Sequence, residues 1–552
     1  MPTSNASRWH TPQSAAFVAR YRKIGVWLDQ TVAEFAAATA EHAPERVTHV
    51  FEGRASRAGE LLLEAQALAA GLQGRGLVAG DVVSFQLPNW REAVVIDLAC
   101  ALLGLVITPI IPIYRDTELA YMLADSGAKA AFFPGTFRGF DFAAMMQRLA
   151  PSLPALPLLS TVRADGGVNA PHADSYEALV GEQRRLREPP RVDPNAVKML
   201  LYTSGTTGRP KGVLHSHNTG PATLRHAFAH WGQQPGDSVL MASPVTHVTG
   251  FSYGMELPFC CGARTVFMER WNAAEAVDLI EREQISASMG ATPFLHELLT
   301  EAKARGARLP SLRLFACGGA EVPPALIREA GNVLENCRAF RVFGSSEAPL
   351  VTLGFVRDGS TDLAAETDGE VVHYEVRIVD DAGVEVPLGQ EGEICVRGPA
   401  MALGYASAEQ TAESFDAQGF FATGDLGRMT PERAIQITGR KKDLINRGGE
   451  KISAKEVEDI LHRHPAVSEA AVVAMPHERL GESVCAYVIV KPGQSLSLDA
   501  LLDSVASAGV AKQKYPERLV LVDALPRTAS GKVRKDQLRL DIRQRLQAAA
   551  TP

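Results

Sequence analysis

Cysteine is sparse: seven residues in 552, none of them in a Cys-x-x-Cys pair. That scarcity excludes a disulfide framework and the common structural zinc motifs. The adjacent Cys260 and Cys261 sit in an apolar stretch and are expected in the core. Long apolar runs are also missing. The longest, "LACALLGLVITPIIPI" (98–113), carries two prolines and falls short of the roughly 20 residues a spanning helix needs. The N-terminal "MPTSNASRWH" lacks the apolar segment of an export signal. Nor is basic charge in excess: 56 Lys+Arg stand against 63 Asp+Glu, a formal net charge of −7. A nucleic-acid partner or an anionic membrane surface is therefore not expected. The basic patch "EQRRLREPPR" (182–191) is interleaved with acids and prolines and reads as a solvated linker. His296 in "HELLT" has no second histidine at zinc-protease spacing, so it is assigned no metal. Internal repeats and low-complexity segments are absent. These exclusions point to a chain of the reducing cytoplasm.

What remains is ordinary globular composition, 46% hydrophobic and 22% charged, in a chain too long for a single core. "AGELLLEAQALAAGLQGRG" reads as an amphipathic helix ended by glycine, and "NWREAVVIDLACALLG" as a helix between the strands "DVVSFQL" and "LVITPII". This is βαβ rhythm, an α/β fold with a mostly parallel sheet. A loop is expected at 162–175. The strands "VKMLLYT", "SVLMAS", "ARTVFM", "ASMGAT" and "LRLFACGG" follow, each expected to lead into a helix. Past about residue 365, "HYEVRIVD" and "GEICVRG" are strands without a long helix between them, a β-rich region. Near the C-terminus, "SAKEVEDILHRH" opens with a capping box at Ser453 and Glu456. The strands "AAVVAM", "SVCAYVIV" and "RLVLVD" and the helix "LDALLDSVASAG" follow, making a small α+β domain.

One stretch, "YTSGTTGRPKG" (202–212), has almost nothing to bury. Gly205 and Gly208 let backbone N–H groups approach an anion closely. Thr203, Ser204, Thr206 and Thr207 add hydroxyls, and Lys211 adds a positive charge. The spacing is not that of a Walker loop. On these residues alone the stretch is either a phosphate cradle or a polar turn.

With six further segments the stretch resembles the adenylate-forming enzymes, which include acyl-CoA synthetases, luciferase-like enzymes and peptide-synthetase adenylation domains. "PVTHVTG" (244–250) resembles the motif opening the acyl pocket, with His247 at its aromatic or histidine position. "CGGAEVPP" (317–324) and "FGSSEA" (343–348) resemble the segments lining adenine, acyl group and metal. "FFATGDLG" (420–427) resembles the ribose motif, and "ITGRKKDLINRGGEKIS" (437–453) the hinge motif. "LPRTASGKVRK" (525–535) is similar to the C-terminal catalytic loop. The overall texture most resembles cyclohexanecarboxylate and medium-chain acyl-CoA ligases.

The resemblance covers about residues 55–540. It implies a large N-terminal domain (1–441) of βαβ-type sheets plus a β-rich subdomain, and a small mobile α+β domain (442–552). The implied reaction is ATP-dependent activation of a carboxylic acid through an acyl-adenylate, then transfer to a thiol. Lys211 and the loop residues Thr203 to Gly208 would hold the phosphates. Gly318, Gly319, Ala320, Phe343, Gly344, Ser345 and Ser346 would line the nucleotide, and Glu347 would hold Mg²⁺. Asp425 would accept the ribose hydroxyls, Arg440 would bind the ribose–phosphate region, and Lys532 would bridge carboxylate and α-phosphate. Lys442 would be the hinge, with Gly448 and Gly449 beside the pantetheine arm of coenzyme A. Asn446 and the pair His373–Tyr374 depart from the usual pattern, the latter predicting a changed turn.

His247, Val248, Phe251, Ser252, Ala316, Gly318 and Pro349 would form the acyl wall. An amino-acid substrate would need an acid at Val248 to pair its ammonium, and Glu256 is expected to point elsewhere. A compact hydrophobic acid is the expectation, with coenzyme A as thiol because no carrier domain follows. Loading of a separate carrier protein and non-catalytic AMP sensing are the alternatives. A monomer or homodimer is expected.

Overall fold

A computed structural model describes residues 8–9, 11, 15–153, 155–164, 174–182, 186, 189–203, 210–319, 322–448, 450–508, 510–528 and 532–550. The chain separates into two compact units. The first comprises Met1–Ala364, Val371–Glu375 and Arg397–Phe421, the second Ala365–Glu370, Val376–Val396 and Ala422–Pro552.

The first unit is built on two sheets. In the eight-stranded sheet the order is Gly404–Tyr405, Lys211–Ser216, Val197–Thr203, Val106–Pro109, Val82–Phe85, Ala128–Pro134, Leu158–Val162, Asp174–Ser175. Its middle strands are parallel. Their sequences are continuous apolar runs because helices cover both faces, as the fully buried Val82–Phe85 illustrates. Ten of the thirteen residues of the helix Arg91–Leu103 are buried, and Gly104 ends it in the left-handed conformation (φ 67°). The seven-stranded sheet runs Arg338–Val342, Leu314–Gly318, Ala287–Gly290, Ser238–Met241, Arg264–Phe267, Val47–Phe51, Arg54–Arg57.

The second unit has a four-stranded sheet, Glu375–Val379, Gly392–Arg397, Phe421–Met429, Ile435–Arg440. A five-stranded sheet includes the long hairpin Val467–His477 and Gly481–Val490, of which Gly481–Val490 is the central strand and Val467–His477 an edge. Alternate residues of that hairpin face two apolar layers. Val472, Val484 and Val488 meet the helices Ala454–Leu461 and Leu498–Ser507, while Val473, Cys485 and Tyr487 meet the helix Lys535–Ala550.

Four expectations need correction. "VKMLLYT" does not lead into a helix. It leads to the strand Lys211–Ser216, which pairs antiparallel with it and places Thr203 opposite Lys211. The alternation Lys211, Val213, His215 is the strand signal that the preceding glycines obscure. Within the expected loop 162–175, Asp174–Ser175 adds a short strand beside Ser160–Thr161. Ser453 does cap the helix Ala454–Leu461, but the Glu456 carboxylate pairs with Lys514 at 2.5 Å instead of closing a box. Cys260 and Cys261 are half-buried at a helix end, not core, and all seven cysteines are free thiols.

Candidate active site

The antiparallel hairpin of Val197–Thr203 and Lys211–Ser216 sets the ends of the glycine-hydroxyl segment side by side. Ser204, Gly205, Thr206, Thr207 and Gly208 lie outside the described residues, as do Ala320 and Gly449. Lys211 is half-buried, with its Nζ 5.1 Å from the centre of the Tyr405 ring. The Tyr405 hydroxyl donates to Glu347 Oε1 at 2.8 Å. The Glu347 carbonyl accepts from Ala402 N–H at 2.7 Å. One residue before it, the Ser346 carbonyl accepts from His215 Nε2 at 2.7 Å. Burial lowers the His215 pKa, so the ring is neutral. With Nε2 donating, Nδ1 is left to accept from Thr219 Oγ1 at 3.2 Å. The turn carrying "FGSSEA" is thus fixed by groups from the hairpin and its neighbouring strand.

The same turn is pinned from within. Phe343 N–H donates to Thr352 Oγ1 at 2.7 Å, and its carbonyl accepts from Thr352 N–H at 3.1 Å. Ser345 N–H donates to the Ala348 carbonyl, and its hydroxyl accepts from Ala348 N–H. Gly344 is obligatory because a Cβ there would stand 2.4 Å from Leu350 N. Gly318 is similarly constrained, 2.5 Å from the Val342 carbonyl oxygen. Gly319 is exposed with φ +79°.

Around the expected acyl wall, Asn89 holds the segment before His247. Its amide donates to the Ser243 and Met268 carbonyls and accepts from Val245 N–H. His247 begins the helical turn, its Nδ1 accepting from Thr249 N–H at 3.3 Å. Val248, Ser252, Gly318 and Pro349 are partly exposed, whereas Phe251 and Ala316 are fully buried behind them. Phe251 lies against Lys198, whose Nζ is 5.0 Å from the ring centre. Glu256, at the end of the π-wound segment Thr249–Glu256, turns inward to pair with Lys198, which also approaches Asp97 Oδ1 at 3.2 Å. Glu256 therefore points elsewhere, as expected. His373 is left-handed (φ 60°) and its ring stacks on His226 at 3.7 Å. Tyr374 then donates to the Pro349 carbonyl at 3.0 Å, bracing that wall residue.

In the second unit, antiparallel register sets Asp425 opposite Arg440, and Arg440 Nε meets Asp425 Oδ1 at 2.7 Å. Burial raises the Asp425 pKa, opposed by the charges of Arg440, Lys532 and Lys442. Three cations around one carboxylate leave a surplus of positive charge, which suits a bound anion. Lys532 is tied to Thr528: its N–H donates to Thr528 Oγ1, and its carbonyl accepts from Thr528 N–H at 2.7 Å. Lys442 lies in the short 3₁₀ turn Lys441–Asp443, and burial lowers its pKa. Gly448 (φ 63°) donates to the Leu480 carbonyl.

Among the described residues no cluster of three His, Cys, Asp or Glu side chains forms a protein metal cage. Glu347 still fits Mg²⁺, which takes one or two carboxylates together with substrate phosphates.

The geometry agrees with what comparison finds. The AMP-binding enzyme model matches residues 36–406, and the AMP-binding enzyme C-terminal domain model matches 456–532.

The chain belongs to the AMP-binding enzymes.

It is accordingly an AMP-forming acid–thiol ligase. A medium-chain fatty-acid–CoA ligase of Escherichia coli K12 is 38% identical over 96% of this chain and 93% of its own. A vibriobactin-specific 2,3-dihydroxybenzoate-AMP ligase of Vibrio cholerae is 32% identical over 96% and 97%. The crystal structure of ATP-bound MatB from Rhodopseudomonas palustris is 27% identical over 93% of this chain and 99% of its own, with a TM-score of 0.82. Among the described residues no helix is long and apolar enough to cross a membrane.

Sequence reasoning missed Tyr405, His215 and the Lys198 cluster. For Lys198 a signal existed: a lone lysine in an otherwise apolar strand demands a buried partner.

Proposed function

We propose that this AMP-binding enzyme activates a hydrophobic carboxylic acid, medium-chain, alicyclic or aromatic, and transfers the acyl group to coenzyme A in the cytoplasm. The observation that carries the reading is the arrangement of Lys211 and Glu347 on either side of Tyr405. A cation and a metal-competent carboxylate are held close without neutralising one another.

In the first step a substrate carboxylate oxygen attacks the α-phosphorus of ATP, and the bond to pyrophosphate breaks. Both reactants are anions, so the protein's task is orientation and charge compensation. Lys211 with the glycine-hydroxyl segment holds the departing pyrophosphate oxygens. Glu347 would hold Mg²⁺, which would supply Lewis-acid charge compensation at the phosphates. Phe343 would offer a ring face to adenine, Asp425 and Arg440 would hold the ribose region, and Lys532 would bridge carboxylate and α-phosphate. In the second step the thiol sulfur attacks the acyl carbonyl and AMP leaves. We place the hinge at Lys442, dividing domains at 441/442, with Gly448 and Gly449 beside the pantetheine arm.

The substrate class rests on Val248, where an ammonium-bearing acid would need a carboxylate partner, and on the inward turn of Glu256. A second reading is loading of a carrier-protein thiol; the similar vibriobactin-specific 2,3-dihydroxybenzoate-AMP ligase is named for the AMP step and leaves the thiol open. Incubation with ATP, Mg²⁺ and a panel of acids, with and without coenzyme A, separates the two. Pyrophosphate and thioester together support the first reading. Pyrophosphate without thioester supports the second. Release with amino acids alone would overturn the substrate assignment.

A further inference from the structure

Tyr405 lies on the short strand Gly404–Tyr405, which pairs antiparallel with Lys211–Ser216 so that Val213 stands opposite Tyr405. Side chains alternate along a strand, so Lys211, Val213 and His215 share one face. Tyr405 is on that face between Lys211 and His215. Its ring lies beside the Lys211 ammonium, its hydroxyl donates to Glu347 Oε1, and only 4% of the residue is exposed. The segment around it is bound at both sides. Leu403 N–H and Ala406 N–H donate to the Leu214 and Gly212 carbonyls, each at 2.7 Å, and Tyr405 N–H donates to Thr411 Oγ1 at 2.9 Å.

A direct ion pair between Lys211 and Glu347 would satisfy both groups and leave neither for a ligand. Tyr405 separates them. Its ring face attracts the ammonium without neutralising it. Its hydroxyl occupies one carboxylate oxygen and leaves the other for a cation. We propose that Tyr405 is a positioning residue for adenylation, setting the spacing between Lys211 and Glu347 so that phosphates and metal are gripped by one rigid unit. This rests on the proposed roles of Lys211 and Glu347.

The test uses Tyr405→Phe, Tyr405→Leu and Glu347→Gln in the full chain. Binding of Mn²⁺ is followed by electron paramagnetic resonance in the presence of α,β-methylene-ATP, and adenylation rate is measured against Mg²⁺ concentration. Tyr405→Phe keeps the ring and removes one charge-assisted hydrogen bond, so half-saturating metal concentration should rise about 3- to 10-fold. Its unfolding midpoint and acid KM should stay near wild type. Tyr405→Leu should add a raised KM for ATP. Unchanged metal binding in Tyr405→Phe, while Glu347→Gln loses it, overturns the inference alone. A loss of kcat and unfolding temperature with metal titration unmoved also overturns it. Unchanged metal binding in Glu347→Gln overturns the reading beneath it.

Discussion

Two lysines on one hairpin meet opposite fates. Lys198, on Val197–Thr203, is buried at 6% side-chain exposure between Glu256 and Asp97, each 2% exposed. Lys211, on the partner strand, is half-buried against the Tyr405 ring, and among the described residues no carboxylate pairs with it. The first lysine's charge is consumed inside the protein. It ties the end of the segment Thr249–Glu256, which follows His247, to the strand that leads into the glycine-hydroxyl stretch. The second lysine's charge remains available. The same residue type on adjacent strands is paired with buried carboxylates in one case and set against an aromatic ring in the other.

The largest effect should come from breaking the buried side. Lys198→Ala strands two carboxylates in the interior, which costs about 3–5 kcal/mol. Urea unfolding followed by fluorescence should report that loss. A change near zero would mean the cluster is solvated.

Lys211→Met should do the reverse. Its unfolding free energy should stay within about 0.5 kcal/mol of wild type. Acid-dependent pyrophosphate release should fall roughly 10²- to 10³-fold in kcat/KM, the scale of removing one preorganised charge-stabilising donor. Equal loss of stability in both lysine variants would erase the contrast.

Acid sharpens the buried side more gently. His217 is held to a pKa of about 3, first by burial and then by Lys198, and His49 to about 4, first by burial. In the unfolded chain both take up protons near pH 6.5. Below that pH the unfolded state binds protons the folded state refuses, so stability present above about 6.5 is lost as pH falls. A decline on the order of 1–2 kcal/mol per histidine by pH 5 is expected, read as a falling unfolding midpoint between pH 7 and 5. A flat profile would place these rings in contact with water.

Much of the fold was legible in the sequence, for local reasons. The helices Ala58–Gly74 and Arg91–Leu103 are long runs rich in apolar residues with glycine at or near their ends, and short apolar strand runs surround them. The proposed site residues were named from motifs that are short and contiguous. What escaped was non-local. Lys211–Ser216 has little strand character until Gly404–Tyr405 pairs with it from nearly two hundred residues away. Tyr405 reaches Glu347 across 58 residues of chain, and no spacing rule links them. Composition shifts mark where a region changes character, not which neighbour it packs against.

The central claim is that this chain joins a carboxylate to AMP and that Lys532 governs the joining. Lys532→Ala tests it most directly, with acid-dependent pyrophosphate–ATP exchange measured beside thioester formation from a supplied acyl-adenylate and coenzyme A. The account predicts that exchange is abolished while thioester formation persists near the wild-type rate. Exchange that survives the substitution, or equal loss of both steps, would contradict it.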